Sequence, residues 1–226
     1  MRIIIRGLIL FSLLLISGCR KEVPEDYFHG TVTDIDGNVY KTIRIGSQVW
    51  MAENLKVTHY RNGNPIPRFS DNREWSADYH GMCCDYDLIE HPDMGLLYNW
   101  YAVEEHEGHM LAPDGWHIPS EEEWQVLVNY LGGKYIAGAY MKDTAYWVPV
   151  SMPKSVGSGF RARPAGERDL YGYFSGINDY AYYWAKSIST QDIYRRVYLR
   201  LDRKTNSAGI NATMPDYGFS VRCIKD

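Results

Sequence analysis

The segment 115–124 constrains the fold more than any other part of the chain, because several independent helix signals coincide in it. Ser120 is a preferred N-cap residue, and Glu123, three positions later, completes a capping box. Gly132 and Gly133 then provide a helix stop. Apolar residues at helical spacing between these signals predict one buried face: Trp124, Leu127, Val128 and Leu131. The residues expected to support the fold are Trp116, Ser120, Glu123, Trp124 and Phe219.

Strand patterns lie on both sides of this helix, as runs of β-branched and aromatic residues between turn-forming residues. The predicted strands are 31–33, 39–45, 49–51, a short strand at Trp116, 180–187, 195–202, 208–212 and 219–224. A second main helix is predicted over 96–105. Long packed loops are expected in the intervals 56–94 and 134–179. The chain is therefore predicted to have an α+β fold with two main helices, antiparallel sheets and long packed loops.

Three motifs carry a resemblance to a known family. They are Gly-Leu-Leu-Tyr-Asn-Trp-Tyr at 95–101, Gly-Trp-His-Ile-Pro-Ser-Glu-Glu-Glu-Trp at 115–124 and Tyr-Gly-Phe-Ser-Val-Arg-Cys at 217–223. Together they resemble the Fibrobacter succinogenes major paralogous (FISUMP) domain, as a single domain over residues 30–226. The last two motifs are more distantly similar to the formylglycine-generating sulfatase-modifying enzymes. That resemblance implies a C-type lectin-like fold more firmly than it implies an activity.

The N-terminus has the features of a lipoprotein export signal. Two arginines precede a short apolar run, and Ile-Ser-Gly-Cys at 16–19 has the form of a lipobox. We expect residues 1–18 to be a signal peptide, Cys19 to be the acylated first residue, carrying palmitate, and residues 19–29 to be a tether. An ordinary secretory signal or a transmembrane helix is the alternative, although the run is short for a span. The expected location is the bacterial cell envelope, with the lipid anchor in the outer membrane.

Composition limits the classes of partner. The 226 residues carry a formal net charge of −4 without any basic run, which argues against nucleic acid. A glycan or a protein is the expected ligand. The candidate ligand-contacting residues are aromatic: Tyr171, Tyr173, Tyr180, Tyr182 and Trp184. The last three share one strand face, and for these a role in the core is favoured over ligand contact, because such residues fill cores more often.

A possible calcium loop occurs near the start of the domain. Asp34-x-Asp36-Gly37-Asn38 begins like an EF-hand loop, but Ile45 stands at the twelfth position, where a carboxylate is required. A turn between two strands is therefore the preferred interpretation. Calcium is unsupported by a motif, and no cofactor is expected.

Two further clusters have metal-ligand residue types without a zinc-site spacing. Cys83-Cys84 lies between His80 and His91 but has no C-x-x-C spacing, and in an exported protein oxidised cysteines are favoured. The second cluster is His106, Glu107 and His109, for which the sequence offers no further ligand. It is interpreted as a solvated linker, and no metal site is expected.

Sequence motifs of catalysis are absent. The chain has no Gly-x-Ser-x-Gly elbow, phosphate loop or His-Glu-x-x-His helix. The sulfatase-modifying enzymes use a pair of reactive cysteines, whereas this chain has no cysteine between Cys84 and Cys223. We therefore expect a non-catalytic, lectin-like binding module. The alternatives are an enzyme on the same fold and a structural component of an envelope or fimbrial assembly.

The cysteines depart from the pattern of the resembled family. That family usually has a cysteine just before Pro-x-Gly-Trp that can meet the one at Cys223, but Ala112 stands there. With Cys19 acylated, three cysteines remain and at most one bridge can form. Two outcomes stay open. Cys223 pairs with Cys83 or Cys84, or Cys223 is free and buried while Cys83 and Cys84 are exposed in their loop.

Acylation of Cys19 can be tested by substitution. Cys19→Ser removes the acylated thiol, and we expect the protein to move from the membrane fraction to the periplasm or the medium, because the acyl chains supply the membrane affinity. Fractionation followed by immunoblotting measures this. Unchanged membrane partition of the variant would contradict the lipid anchor.

Overall fold

The computed structural model describes residues 28–69, 71–77, 79–86, 93–105, 109–147 and 157–226. This part of the chain contains two five-stranded sheets, a two-stranded sheet and four short helices. The strands are β1 (Phe28–Thr33), β2 (Val39–Ile45), β3 (Gln48–Met51), β4 (Cys83–Cys84), β5 (Leu97–Tyr98), β6 (Trp116–His117), β7 (Ala165–Arg168), β8 (Phe174–Ile177), β9 (Tyr180–Ile188), β10 (Arg196–Asp202), β11 (Ala208–Thr213) and β12 (Ile224–Lys225). The helices are α1 (Asn72–Ala77), α2 (Trp100–Val103), α3 (Glu121–Tyr130) and α4 (Ala137–Met141).

The first sheet has the order β1-β2-β3-β12-β6 and is antiparallel throughout. Its first turn is the segment that begins like a calcium loop. The Asp34 carboxylate accepts from the backbone N–H groups of Asp36 (3.0 Å) and Asn38 (2.9 Å) and from the Tyr40 hydroxyl (2.6 Å). Gly37 supplies the positive φ of +82° that the turn requires. The interpretation of this segment as a turn is confirmed.

The second sheet has the order β11-β10-β9-β7-β8. The strands predicted over 180–187, 195–202 and 208–212 are confirmed as β9, β10 and β11. Burial alternates along β10, where Val197, Leu199 and Leu201 are buried and the residues between them are half-buried. The pair β7–β9 is parallel, and the other pairs are antiparallel. The coarse prediction of an α+β fold is confirmed, with more sheet than helix.

Helix α3 lies between the two sheets, and its capping was predicted correctly. The Ser120 hydroxyl accepts from the Glu123 N–H, and the Glu123 carboxylate accepts from the Ser120 N–H. At the other end Gly133 N–H donates to the Val128 carbonyl and Gly132 N–H to that of Asn129, which is a Schellman motif. Trp124 stacks on Trp50 of β3, with ring centroids 4.8 Å apart. The buried residues of α3 and buried residues of both sheets therefore belong to one core cluster.

The prediction of a second main helix over 96–105 is wrong. Leu97 and Tyr98 form β5, which pairs with Cys84 and Cys83 of β4, and only Trp100–Val103 is helical. Asn99 caps this short helix by accepting from the Ala102 N–H. Strand pairing to a distant segment has therefore overridden the local helix pattern.

Two other predictions along the chain need correction. The strand expected over 219–224 is reduced to isolated bridges at Phe219 and Ser220 and to the short β12. The intervals 56–94 and 134–179, expected to be long loops, contain regular elements, namely α1 and β4 in the first and α4, β7 and β8 in the second. These short elements have partners far away in sequence, which a local pattern does not reveal.

The cysteines match only part of the second expected outcome. Cys83, Cys84 and Cys223 are all free and all buried. The expectation of a free, buried Cys223 is confirmed, whereas the expected oxidation of Cys83 and Cys84 and their exposure are wrong. Their strand β4 pairs with β5, so the two side chains enter core clusters on opposite faces of β4.

The burial of these thiols gives a chemical prediction. Burial raises the pKa of Cys83 to about 12 and that of Cys84 to about 11, and it also raises the pKa of Cys223. We expect alkylating reagents at neutral pH to leave all three unmodified in the folded protein and to modify all three in denaturant. Mass spectrometry measures this count, with Cys19 excluded. A cross-linked peptide joining Cys223 to Cys83 or Cys84 would show that the thiols are not free.

Candidate functional site

The residues predicted to contact a ligand fall into two groups. Tyr180, Tyr182 and Trp184 lie on one face of β9, as predicted, and pack with Phe219 in a core cluster. Trp184 is fully buried and Tyr182 is 8 % exposed, whereas Tyr180 is half-buried. Tyr171 and Tyr173 lie in the loop between β7 and β8 and are 65 % and 64 % exposed. The burial of Trp184 favours the core interpretation for that residue.

A polar and aromatic surface covers the side of the second sheet that faces away from α3. We call it the tyrosine face, and it consists of Glu167, Tyr180, Tyr182, Tyr198, Arg200 and Tyr217. Arg200 pairs with Tyr182 across β10 and β9, and the parallel pairing of Gly166 with Ala181 places Glu167 beside Tyr182 on the other side. Glu167, Tyr182 and Arg200 therefore lie in a row across the sheet, with the tyrosine between the two opposite charges.

The two charged groups of the tyrosine face are partly desolvated. Burial raises the pKa of the Glu167 carboxyl, which accepts from the Ser175 hydroxyl at 3.2 Å. The Arg200 guanidinium lies over the Tyr180 ring at 4.8 Å and contacts the Asp202 carboxylate at 3.2 Å. Both side chains are half-buried, so their polar atoms remain able to meet a ligand.

The C-terminal segment sets the limits of the tyrosine face. The Phe219 ring stacks on Tyr182, with centroids 4.9 Å apart and planes at 13°, and so covers the centre of the face. Tyr180, Tyr198 and Tyr217 remain half-buried around it. Burial raises the pKa of the Tyr217 hydroxyl, and nearby Glu167, Asp169 and Tyr171 act in the same direction. The face thus continues towards the exposed tyrosines of the β7–β8 loop.

A second surface, which the sequence did not predict, is a groove of about 440 Å³. We call it the aromatic groove, and its lining includes six aromatic, imidazole and acidic side chains: Tyr60, Tyr79, His80, Tyr101, Glu104 and His109. They come from three separate segments of the chain, and no local pattern connects them. Of these side chains only His80 and His109 were singled out in the sequence, as members of possible metal clusters.

Ring geometry defines the walls of the aromatic groove. Tyr79 and Tyr101 meet edge to face, with centroids 5.9 Å apart and planes at 89°. Tyr60 and His109 are stacked, with centroids 4.8 Å apart and planes at 21°. Burial raises the pKa of the Tyr60 hydroxyl to about 12, and burial together with Asp216 raises that of Tyr101 to about 12.

The structure describes only part of the metal clusters considered from the sequence. Within the described ranges, no three side chains of His, Cys, Asp or Glu are grouped so that they could hold a metal ion. His91, His106 and Glu107 lie outside the described residues, as does Cys19, so the acylation of Cys19 stays a prediction. None of the described helices has the length and apolar character needed to cross a bilayer.

The residues predicted to be structural lie where that role requires. Trp124 and Phe219 are in the core, and Trp116 is buried in β6. Ser120 and Glu123 form the capping box of α3. Glu123 also contacts Nε2 of His117 at 2.8 Å, so the cap is tied to β6.

The described residues thus form an α+β fold with two surfaces rich in aromatic side chains, the tyrosine face and the aromatic groove. Residues 43–225 match the family model described as the Fibrobacter succinogenes major domain. The chain belongs to this family, as its motifs predicted. A search of curated proteins found no match, and a search of solved structures also found none.

Proposed function

We propose that this protein is a lipid-anchored envelope protein whose domain binds a glycan, without catalysis, at the tyrosine face. The observation that carries the proposal is the row Glu167–Tyr182–Arg200, which sets a carboxylate and a guanidinium on either side of a tyrosine. Half-buried rings of Tyr180, Tyr198 and Tyr217 surround this row.

The chemistry of this row suits a sugar. A pyranose ring has apolar C–H faces that pack on aromatic rings, and its hydroxyl groups both donate and accept hydrogen bonds. Glu167 offers acceptors and Arg200 offers donors on either side of Tyr182, and because Phe219 covers the Tyr182 ring, the rings that a sugar can meet are those of Tyr180, Tyr198 and Tyr217. Hydrogen bonds to charged groups are stronger than neutral ones, so two such groups set the orientation of a bound sugar.

The proposed setting follows from the sequence resemblance and the N-terminal signal. The α+β architecture is compatible with the C-type lectin-like fold that the resemblance implies, and lectin-like folds bind ligands through packed loops and sheet faces. A lipid anchor at Cys19 in the outer membrane holds such a module in the envelope, where glycans are abundant.

The enzyme alternative has less support from the cysteines. An activity like that of the sulfatase-modifying enzymes needs accessible thiolates, whereas Cys83, Cys84 and Cys223 are buried with raised pKa values. A binding role requires no such group. It uses the side chains that the tyrosine face presents to solvent.

Glycan binding can be tested with a glycan array followed by titration of the best ligand. We expect Arg200→Ala and Glu167→Gln each to weaken binding by about tenfold or more, because the first removes a charged donor and the second replaces a charged acceptor with a neutral amide. Arg195→Ala is the matched control, since Arg195 makes a 3.2 Å contact with Asp192 just as Arg200 does with Asp202, but lies outside the face. Its affinity should equal that of the unmodified protein.

Two results would contradict the proposal. One is the absence of any glycan ligand on the array for a protein whose folding is verified by circular dichroism. The other is a glycan that binds all three variants equally, which would place its site elsewhere.

A further inference from the structure

We propose that the aromatic groove is a second binding site, separate from the tyrosine face, and that it takes an alkylammonium cation. The ligand class is a quaternary or primary ammonium group, carried by a small molecule or by a lysine side chain. The proposal is independent of glycan binding, because the groove and the tyrosine face share no residue.

The arrangement of the rings in the groove suits a cation. Tyr79 and Tyr101 stand at 89° to each other and so form a corner. A cation seated in such a corner meets the electron-rich face of one ring while a second ring closes the side. Tyr79 is 77 % exposed although it is a large aromatic residue, and a ligand in the corner would cover it.

The charged side chains at the groove also favour a cation. Glu104 is the only acidic residue among the described residues that line the groove, and none of them is Lys or Arg. Burial is the main cause of the raised pKa of the Tyr101 hydroxyl, and the nearby acidic side chains of Asp216 and Glu104 raise it further, while Arg196 acts in the opposite direction. A carboxylate beside aromatic rings attracts a cation and repels phosphate or carboxylate ligands.

The walls of the groove are held in place by contacts within the protein. Asn99, which is fully buried, donates to the His80 carbonyl at 2.8 Å and accepts from the N–H groups of Met82 at 2.8 Å and Ala102 at 3.2 Å. One side chain therefore fixes the segment after Tyr79 against the helix that carries Tyr101. Walls that are already in place lower the entropic cost of binding.

Gly81 supports the same conclusion. A Cβ atom at this position would lie 2.1 Å from the Tyr60 hydroxyl and 2.8 Å from the Cα of Ala102. Only glycine allows this close approach, which sets the Tyr60 ring against α2. The volume of about 440 Å³ falls in the range of about 300–1,000 Å³ that is typical of small-ligand sites.

The test compares a cation with its neutral counterpart. Choline and dimethylbutanol, its uncharged carbon analogue, have nearly the same shape. Titration of the purified protein, followed by nuclear magnetic resonance, should show that choline binds about tenfold or more tightly than dimethylbutanol. The α-acetylated amides of lysine and trimethyllysine form a second arm, and tighter binding of either than of choline would identify a protein side chain as the source of the cation.

Variants locate the binding. We expect Tyr79→Leu and Glu104→Gln each to weaken choline binding severalfold or more, because one removes a ring and the other the charge. Tyr135→Leu is the control, since Tyr135 is 76 % exposed, like Tyr79, but lies between α3 and α4. Its affinity for choline should be unchanged, and the circular dichroism of all three variants should match that of the unmodified protein.

Three results would overturn the proposal. The first is the absence of binding by every cation at about 10 mM, which corresponds to less than about 3 kcal/mol of affinity. The second is equal affinity for choline and dimethylbutanol, which would make the groove a merely apolar site. The third is equal loss of binding in Tyr79→Leu and Tyr135→Leu.

Discussion

The rest of the structure depends on one buried guanidinium, that of Arg222. It is fully buried and donates to the carbonyls of Met51 (3.1 Å) and Phe160 and to the amide oxygen of Asn54 (2.5 Å). Its plane lies over the Phe160 ring at 4.4 Å and faces Tyr183 of the second sheet at 5.4 Å. Burial lowers the pKa of Arg222, so the charge persists there only because oxygen atoms and aromatic faces replace water. Removal of those partners would leave an uncompensated charge in the core.

The C-terminal segment carries this guanidinium and connects the parts that form the two surfaces. Strand β12 lies between β3 and β6, and upstream of it Phe219 forms a bridge with Tyr98. On one side of that bridge Phe219 covers the tyrosine face. On the other side Tyr98 is followed by Asn99, whose side chain holds the walls of the aromatic groove. The geometry of both surfaces therefore depends on how firmly residues 217–225 are held.

How much of this could be predicted from sequence depends on whether the signal was local. The capping box of Ser120 and Glu123 and the strand over 39–45 are decided by neighbouring residues, and both were predicted correctly. The prediction of a helix over 96–105 is wrong because the segment contains the strand β5, which exists only through its pairing with β4. The aromatic groove gave no local signal, since its segments are held together by contacts between residues far apart in sequence, such as the Asn99 amide with His80 and Met82, and the Arg61 N–H with the Met110 carbonyl. The burial of Cys83 and Cys84 also gave no local signal, because it follows from the pairing of β4 with β5.

Native-state amide hydrogen exchange tests the central claim most directly, namely that the C-terminal segment locks the domain into one body. Three backbone hydrogen bonds connect that segment to the rest of the domain. The Met51 N–H donates to the Cys223 carbonyl, the Leu55 N–H to the Val221 carbonyl, and the Phe219 N–H to the Tyr98 carbonyl. The account predicts that all three exchange only through global unfolding, with the same free energy of opening as the most protected amides of β9 and β10. Exchange of these amides through a local opening whose free energy is several kcal/mol below that of global unfolding would contradict it. Residues 217–225 could then detach while the sheets stay folded.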